Sequence, residues 1–161
     1  LELLQTYLLA QDDWMDGDPV RRGGPSVHAA LARVFGDEHK GACSAMLAGD
    51  LTWGLAVRTL AGARVKADRK LRALDLFCAV HQDVIVGQQL DILGAAENIE
   101  AMHALKTGSY TVRGPLLLGA TLAGASKRVM AALGAYAAPL GIAFQLRDDL
   151  LDDGYCKPVI F

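Results

Sequence analysis

Apolar residues recur along the chain at the spacing of an α-helix. In the opening segment Leu4, Leu8 and Met15 follow this spacing, and no long tract alternates apolar and polar residues as a half-buried strand would. Alanine and leucine, which favour helix, fill the long segments, whereas β-branched residues are scattered. The pattern predicts helices at roughly 2–16, 26–35, 39–62, 66–93, 98–112 and 127–152.

Glycine, proline and aspartate mark the breaks between these helices. Ser26 follows Pro25 immediately before an apolar helical segment, so we expect Ser26 to be the N-cap of the second helix. The chain has no visible repeat or linker, and its 161 residues match one domain. We therefore expect a single all-α domain, 1–161, built as a helical bundle. The predicted breaks are 17–26, 35–38, 92–98, 114–119 and 152–158.

The composition excludes disorder and a general attraction to nucleic acid. Hydrophobic residues make up 52% of the chain and the formal net charge is only −2, so the chain must collapse around an apolar core. With 16 basic and 18 acidic residues there is no overall positive field, and we expect no nucleic-acid partner. Cys43, Cys78 and Cys156 show no paired spacing, which favours unpaired thiols in a reducing cytoplasm.

One stretch is long enough to cross a membrane. Between Arg128 and Arg147 lie 18 residues without a formal charge. The stretch is rich in alanine, contains Pro139 and Gln145, and continues directly into an aspartate-rich segment. These features favour a buried helix or helix pair, so we expect no transmembrane segment.

Two acidic blocks share the pattern D-D-x-x-D. On a helix, carboxylates four residues apart lie on one face and repel each other, and Gly17 and Gly154 place both blocks at helix C-terminal ends, where the helix dipole is also negative. A cation should compensate, and Mg²⁺ prefers oxygen ligands of this kind. One such block is as often a solvated helix end, but two identical blocks favour a metal site. The blocks comprise Asp12, Asp13, Asp16, Asp148, Asp149 and Asp152.

A pair of arginines follows the first block. Arg21 and Arg22 precede two glycines, and guanidinium groups donate two parallel hydrogen bonds to phosphate oxygens. Alone, such a pair is more often a surface feature or a partner for nearby aspartates. Beside a metal cluster it suggests a polyphosphate ligand. The chain contains neither G-x-x-x-x-G-K-[ST] nor G-x-G-x-x-G, which argues against ordinary nucleotide-binding folds.

Five segments, in order, carry a specific resemblance. DDWMDGDPVRRGGPSVH (12–28) and GIAFQLRDDLLD (141–152) closely resemble the two aspartate-rich motifs of the all-trans isoprenyl diphosphate synthases, or polyprenyl synthetases. AGDLTWGLAV (48–57), GQQLDIL (87–93) and LKTGSYT (105–111) are similar to the landmarks between those motifs. The resemblance implies an isoprenoid synthase-type helical bundle around a central cavity. In that family a Gly-Gly-Lys-x-x-Arg stretch comes earlier and further helices follow, so we expect the chain to be incomplete at both ends.

The resemblance also implies roles for single residues. Arg21 and Lys106 would bind the allylic diphosphate, Arg22 the isopentenyl diphosphate, and Lys157 would match a later diphosphate-binding lysine. Thr107 and Gln145 would line the place where carbocation charge develops. The six aspartates of the two blocks would hold three Mg²⁺ ions, for which Mn²⁺ can substitute, and the ligands would be Asp12, Asp13, Asp16, Asp148, Asp149 and Asp152.

The implied activity is a Mg²⁺-dependent condensation of an allylic diphosphate with isopentenyl diphosphate. Tyr7 and Leu8 lie five and four residues before Asp12, where bulk closes the cavity in this family, and imply a short product of 15 to 20 carbons. Tyr7 could equally pack in an ordinary core. The alternatives are a class I terpene cyclase and a non-catalytic subunit or truncated binding module. The resemblance further implies a homodimer in the cytoplasm.

Overall fold

A computed structural model describes residues 1–94, 102 and 104–152, with the side chains of 107, 145, 148, 149, 151 and 152 excepted. The chain divides into two compact units, Leu1–Ala63 and Arg64–Phe161. In the described ranges both are built almost entirely of helices, so the predicted all-α fold is confirmed. The single domain remains a prediction.

The first unit contains three helices and a short hairpin. Helix α1 spans Glu2–Met15, strands β1 and β2 span Val20–Arg21 and Gly24–Pro25, and helices α2 and α3 span Val27–Phe35 and Glu38–Ala61. The strands pair antiparallel, with Val20 opposite Pro25 and Arg21 opposite Gly24. The first three predicted helices therefore agree with the structure to within one or two residues, and the predicted break at 17–26 contains the hairpin.

The core of this unit lies between α1 and α3. Leu4 and Tyr7 of α1 are buried, and the small residues Ala45 and Gly49 of α3 are buried opposite them. Small side chains let the backbones of two helices approach closely, while the larger residues of the other helix fill the space. This packing fixes α1, whose C-terminal end carries the first aspartate block.

Four helical segments of the second unit lie within its described residues. Helix α4 spans Ala67–Ile92, a π-helical segment spans Ala104–Arg113, helix α5 spans Gly114–Ala123 and helix α6 spans Lys127–Asp152. We refer to Ala104–Arg113 as the π segment. In the described ranges no helix, α6 with its uncharged stretch included, is long and apolar enough to cross a membrane.

Two expectations for the second unit need correction. The helix predicted at 98–112 is described only in part, and from Ala104 it is wound as a π-helix that continues to Arg113. The break predicted at 114–119 is wrong, because α5 continues directly from the π segment at Gly114. Pro115 lies in the first turn of α5, and the winding changes there from π to α without interrupting the helix.

Candidate diphosphate and metal site

The first aspartate block lies at the C-terminal end of α1, as predicted. The helix ends at Met15, Asp16 is its C-cap, and Gly17 turns the chain with φ of +72°. The backbone N–H of Asp18 donates to the carbonyl oxygen of Asp13 at 2.8 Å, which closes this end of the helix. Three carboxylates are thus gathered where the helix dipole is negative.

Arg21 compensates part of this negative charge. Its Nε donates to Asp13 Oδ1 at 2.6 Å, its Nη2 also contacts that oxygen, and Nη2 lies 3.9 Å from Asp12 Oδ2. The carboxylate of Asp13 is almost wholly buried, with 2% of the residue exposed. The hydrogen bond to Asp13 raises the pKa of Arg21 further above its ordinary value. Arg21 is therefore a partner for nearby aspartates, which was the alternative interpretation of the arginine pair.

The hairpin explains why the two neighbouring arginines have different surroundings. Arg22 and Gly23 form its two-residue turn, with φ of +52° and +77°, as a type I′ turn requires. Arg21 is in the strand and reaches back to the end of α1, whereas Arg22 is exposed at the turn. Ser26 follows the hairpin as the N-cap of α2, as predicted, but its hydroxyl makes no capping bond and instead contacts His28 Nδ1 at 3.2 Å.

The donor set of the first block suits Mg²⁺. Asp12 is partly exposed and Asp16 is exposed, so both carboxylates are accessible from solvent, whereas Asp13 is enclosed by Arg21. Mg²⁺ is usually held by one or two carboxylates together with waters and substrate phosphates. Across the described part of the chain, no three His, Cys, Asp or Glu side chains converge as a complete metal centre. A metal bound here would need further oxygen ligands from elsewhere.

The second aspartate block lies on the last turns of α6, which the structure describes to Asp152. The side chains of this block and of Gln145 lie outside the described part, as does Lys157. Whether the two blocks form one site therefore stays a prediction. The backbone shows that Asp148 and Asp152 occupy one continuous helix, in which residues four apart share a face.

Lys106 lies near the beginning of the π segment. Its Nζ donates to Asp91 Oδ2 on α4 at 2.6 Å. The lysine is thus already paired with a carboxylate, a partner that the sequence prediction did not identify. The side chain of its neighbour Thr107 is outside the described part. Ten residues of π-helix are unusual, since π winding occurs mostly as single turns and often at functional sites.

The two residues predicted to limit product length are both buried. Tyr7 packs on Trp53, with ring centroids 6.1 Å apart, and Leu8 lies beside it on α1. A Cβ atom added at Gly49 would lie 3.2 Å from Cδ2 of Tyr7, so α3 encloses the ring closely. Burial raises the pKa of the Tyr7 hydroxyl, and the charge of Asp50 adds to this effect. The ring is therefore a fixed part of the α1–α3 core.

A family model described as Polyprenyl synthetase matches residues 1–155. The chain belongs to this family. It is 35% identical over 167 residues to a farnesyl diphosphate synthase of Geobacillus stearothermophilus, covering 94% of this chain and 52% of that protein. It is 32% identical over 159 residues to a geranylgeranyl diphosphate synthase of Methanosarcina mazei, covering 94% of this chain and 46% of that protein. This polyprenyl synthetase chain spans about half the length of these relatives.

Solved structures give the same result. A geranylgeranyl pyrophosphate synthase of Corynebacterium glutamicum, crystallised with isoprenyl diphosphate and magnesium, superposes with a TM-score of 0.86 at 37% identity. The match covers 93% of this chain and 46% of that structure. A geranyltransferase of Helicobacter pylori gives a TM-score of 0.82 at 26% identity, over 95% of this chain and 53% of that one. The predicted family and its helical fold are confirmed, and these relatives offer no support for a terpene cyclase.

Proposed function

We propose that the protein is a Mg²⁺-dependent prenyltransferase. It joins an allylic diphosphate to isopentenyl diphosphate and releases an all-trans prenyl diphosphate of 15 to 20 carbons. The observation that carries the proposal is the end of α1, where the guanidinium of Arg21 is paired with the buried carboxylate of Asp13 and lies 3.9 Å from the accessible carboxylate of Asp12. The names of the relatives support the substrate class, since they are farnesyl and geranylgeranyl diphosphate synthases.

The aspartates of the two blocks would hold the metal ions. Asp12 and Asp16 are the accessible carboxylates of the first block, and Asp148, Asp149 and Asp152 would supply ligands from the second. Asp13 contributes to the site through Arg21, whose guanidinium it holds. Bound Mg²⁺ supplies positive charge that stabilises the departing diphosphate.

Basic side chains of the protein stabilise the same negative charge of the departing diphosphate. Arg21 and Lys106 bind the allylic diphosphate and Arg22 binds isopentenyl diphosphate, so negative charge on the leaving group is stabilised as the allylic C–O bond breaks. Thr107 and Gln145 would line the place where the allylic carbocation forms and would stabilise its charge. The double bond of isopentenyl diphosphate attacks that carbocation, and the new chain loses a proton to the released diphosphate. Lys157, which comes later in the chain, would also bind a diphosphate.

Tyr7 and Leu8 set the product length in this proposal. Their side chains are buried one helical turn before Asp12, on the helix that presents the first aspartate block. A growing hydrocarbon chain that extends from the diphosphate along α1 meets them after a few carbons. In this proposal the protein acts as a homodimer in the cytoplasm. The exposed cysteines Cys43 and Cys78, which form no disulfide, accord with a reducing compartment.

The test is product analysis with the protein expressed from its complete gene. The protein is incubated with Mg²⁺, isopentenyl diphosphate and a labelled allylic diphosphate, and the products are separated by chromatography. A prenyl diphosphate of 15 to 20 carbons supports the proposal. A cyclised hydrocarbon would indicate a terpene cyclase, and diphosphate binding without turnover would indicate a non-catalytic subunit. Arg33→Gln, an exposed arginine on α2 outside the proposed site, serves as the control variant.

A further inference from the structure

The residues around the start of α4 are strongly basic, although the chain as a whole is slightly acidic. Residues 64–72 contain five basic residues and one acidic residue, in a chain whose formal net charge is −2. So many charged side chains are unlike a buried segment, because burying a charge without a partner is costly. We therefore expect this stretch to lie at the surface of the complete protein. We call it the basic segment, and its basic residues are Arg64, Lys66, Arg69, Lys70 and Arg72.

The start of α6 lies at the same end of the second unit as the basic segment. Arg69 Nη1 donates to the carbonyl oxygen of Ala123, the last residue of α5, at 2.8 Å. The guanidinium of Arg69 packs on Gly124 so closely that an added Cβ atom would collide with it. Helix α6 begins three residues later with Lys127 and Arg128, both exposed. Seven basic residues are thus collected at one end of the unit, which we call the basic end.

Little negative charge offsets the basic end. The acidic residue of the basic segment is Asp68, which pairs with Arg72 at 2.9 Å, and the next acidic residue on α4, Asp75, lies two turns further along. Helix α5 contains no acidic residue, and α6 contains none before Asp148. The first turns of α4 and α6 add positive charge, because a helix dipole is positive at its start. Within the described ranges, four exposed basic side chains of this end have no carboxylate partner, namely Arg64, Lys66, Lys127 and Arg128.

The basic end is far from the second aspartate block. Helix α6 runs from Lys127 to Asp152, and a rise of about 1.5 Å per residue places Lys127 roughly 30 Å from Asp148. The aspartates and the basic end are therefore at opposite ends of one helix. A diphosphate held by metal ions at the second block could not contact the basic end, so this positive charge needs a different anionic partner.

An exposed leucine among these charges indicates what kind of anion the partner is. Leu71 lies between Lys70 and Arg72 and is 70% exposed. The buried stripe of α4 includes Ala73 and Phe77, and Leu71 is on the opposite side of the helix, so packing within the unit does not use it. Basic side chains flanking an exposed leucine suit a membrane surface, because the leucine enters the acyl boundary while the charged groups stay with the lipid headgroups. Nucleic acid would use the charges and leave the leucine in water.

We propose that the basic end docks the protein reversibly on a membrane surface that contains anionic phospholipids. The lysines and arginines are attracted to the headgroup phosphates, and this attraction acts only within about a Debye length of the surface. Leu71 adds apolar contact with the acyl boundary. Such docking needs no helix that crosses the membrane. The inference does not depend on the proposed function, because it uses no residue of the diphosphate and metal site.

The test is co-sedimentation of the protein, expressed from its complete gene, with lipid vesicles. Vesicles of equal parts phosphatidylglycerol and phosphatidylcholine should bind it, and vesicles of phosphatidylcholine alone should not. Binding should be lost at about 1 M salt, where the Debye length is about 3 Å. Lys66→Gln with Lys127→Gln should weaken binding about thirtyfold. Arg33→Gln with Lys40→Gln, which removes two exposed charges from the first unit, should stay within about twofold of wild type.

The contribution of the leucine is tested separately. Leu71→Ser should weaken binding to the anionic vesicles about tenfold, as expected for the loss of one apolar side chain from the interface. Leu93→Ser is the matched control, because Leu93 is 64% exposed at the other end of the same helix, and it should bind like wild type. Urea unfolding of each variant shows that it is folded before its binding is compared.

Three results would overturn the inference. One is the absence of any preference for anionic over neutral vesicles. Another is an equal loss of binding in the charge control, Arg33→Gln with Lys40→Gln. The third is unchanged vesicle binding in Leu71→Ser together with equally tight binding of a DNA duplex, which would indicate a general polyanion surface. Vesicle binding is measured without substrates, so a failure of prenyl transfer would refute the proposed function and leave this test intact.

Discussion

The ion pair between Arg21 and Asp13 makes a quantitative prediction, because its two members differ in burial. Asp13 is almost fully enclosed, whereas the side chain of Arg21 is 37% exposed. Arg21→Gln leaves a buried carboxylate without a cation, and breaking a buried pair in this way costs about 3 kcal/mol. Asp13→Asn leaves a partly exposed guanidinium that can turn towards solvent, so it should cost only about 1 kcal/mol. The expected effects are therefore unequal, although the same contact is lost.

Urea unfolding of the two single variants and of the double variant measures this asymmetry. The double variant should be more stable than Arg21→Gln alone, because no charge is then left buried without a partner. Lys40→Gln is the control, since its ion pair with Asp37 is exposed and should contribute less than about 1 kcal/mol. Equal losses in Arg21→Gln and Asp13→Asn, or a double variant that shows the sum of both losses, would refute the reasoning.

Three further predictions concern other parts of the molecule. Asp12→Ala should lower turnover by orders of magnitude with little loss of stability, because it removes a like charge beside Asp13 and Asp16; a steep fall in melting temperature without Mg²⁺ would show a structural role instead. Tyr7→Ala should lengthen the product, and an unchanged chromatographic profile would reject that role. Burial lowers the pKa of His81 in the folded protein, so below about pH 6.5 the unfolded chain binds more protons than the folded one and the free energy of unfolding should fall. In urea unfolding at several pH values, His81→Gln should show a weaker dependence of stability on pH.

The helical fold could be predicted from the sequence because it depends on local patterns. Regular apolar spacing and strong helix formers locate α1 to α4 and α6. The break predicted at 114–119 is wrong because glycine and proline, here Gly114 and Pro115, are read as a helix break at any position in a sequence. Their effect depends on position, and at the first turn of a helix proline is tolerated. The π winding before them leaves no signal in the spacing of apolar residues over so short a segment.

The candidate site could be predicted in its residue types but not in its pairings. The spacing of Asp12, Asp13 and Asp16 shows which carboxylates share a helix end. It does not show that Asp13 is enclosed by Arg21, since that contact requires a tight hairpin with Arg22 at positive φ. Nor does the sequence show that Asp91 pairs with Lys106, because these residues lie 15 positions apart on different helical segments. The available signal is that Asp91, a charged residue, follows the buried residues of α4 at helical spacing, four positions after Gly87.

The central claim is prenyl transfer that depends on Mg²⁺ and on the first aspartate block. The most direct measurement is the mass of the product formed from labelled isopentenyl diphosphate and an allylic diphosphate, with Mg²⁺ present and after its removal by a chelator. We expect a diphosphate product lengthened by whole five-carbon units in the presence of Mg²⁺, and none after chelation or in Asp12→Ala. An undiminished yield of product after chelation or in Asp12→Ala would contradict the account. So would a wild-type protein that binds both substrates but does not lengthen the allylic chain.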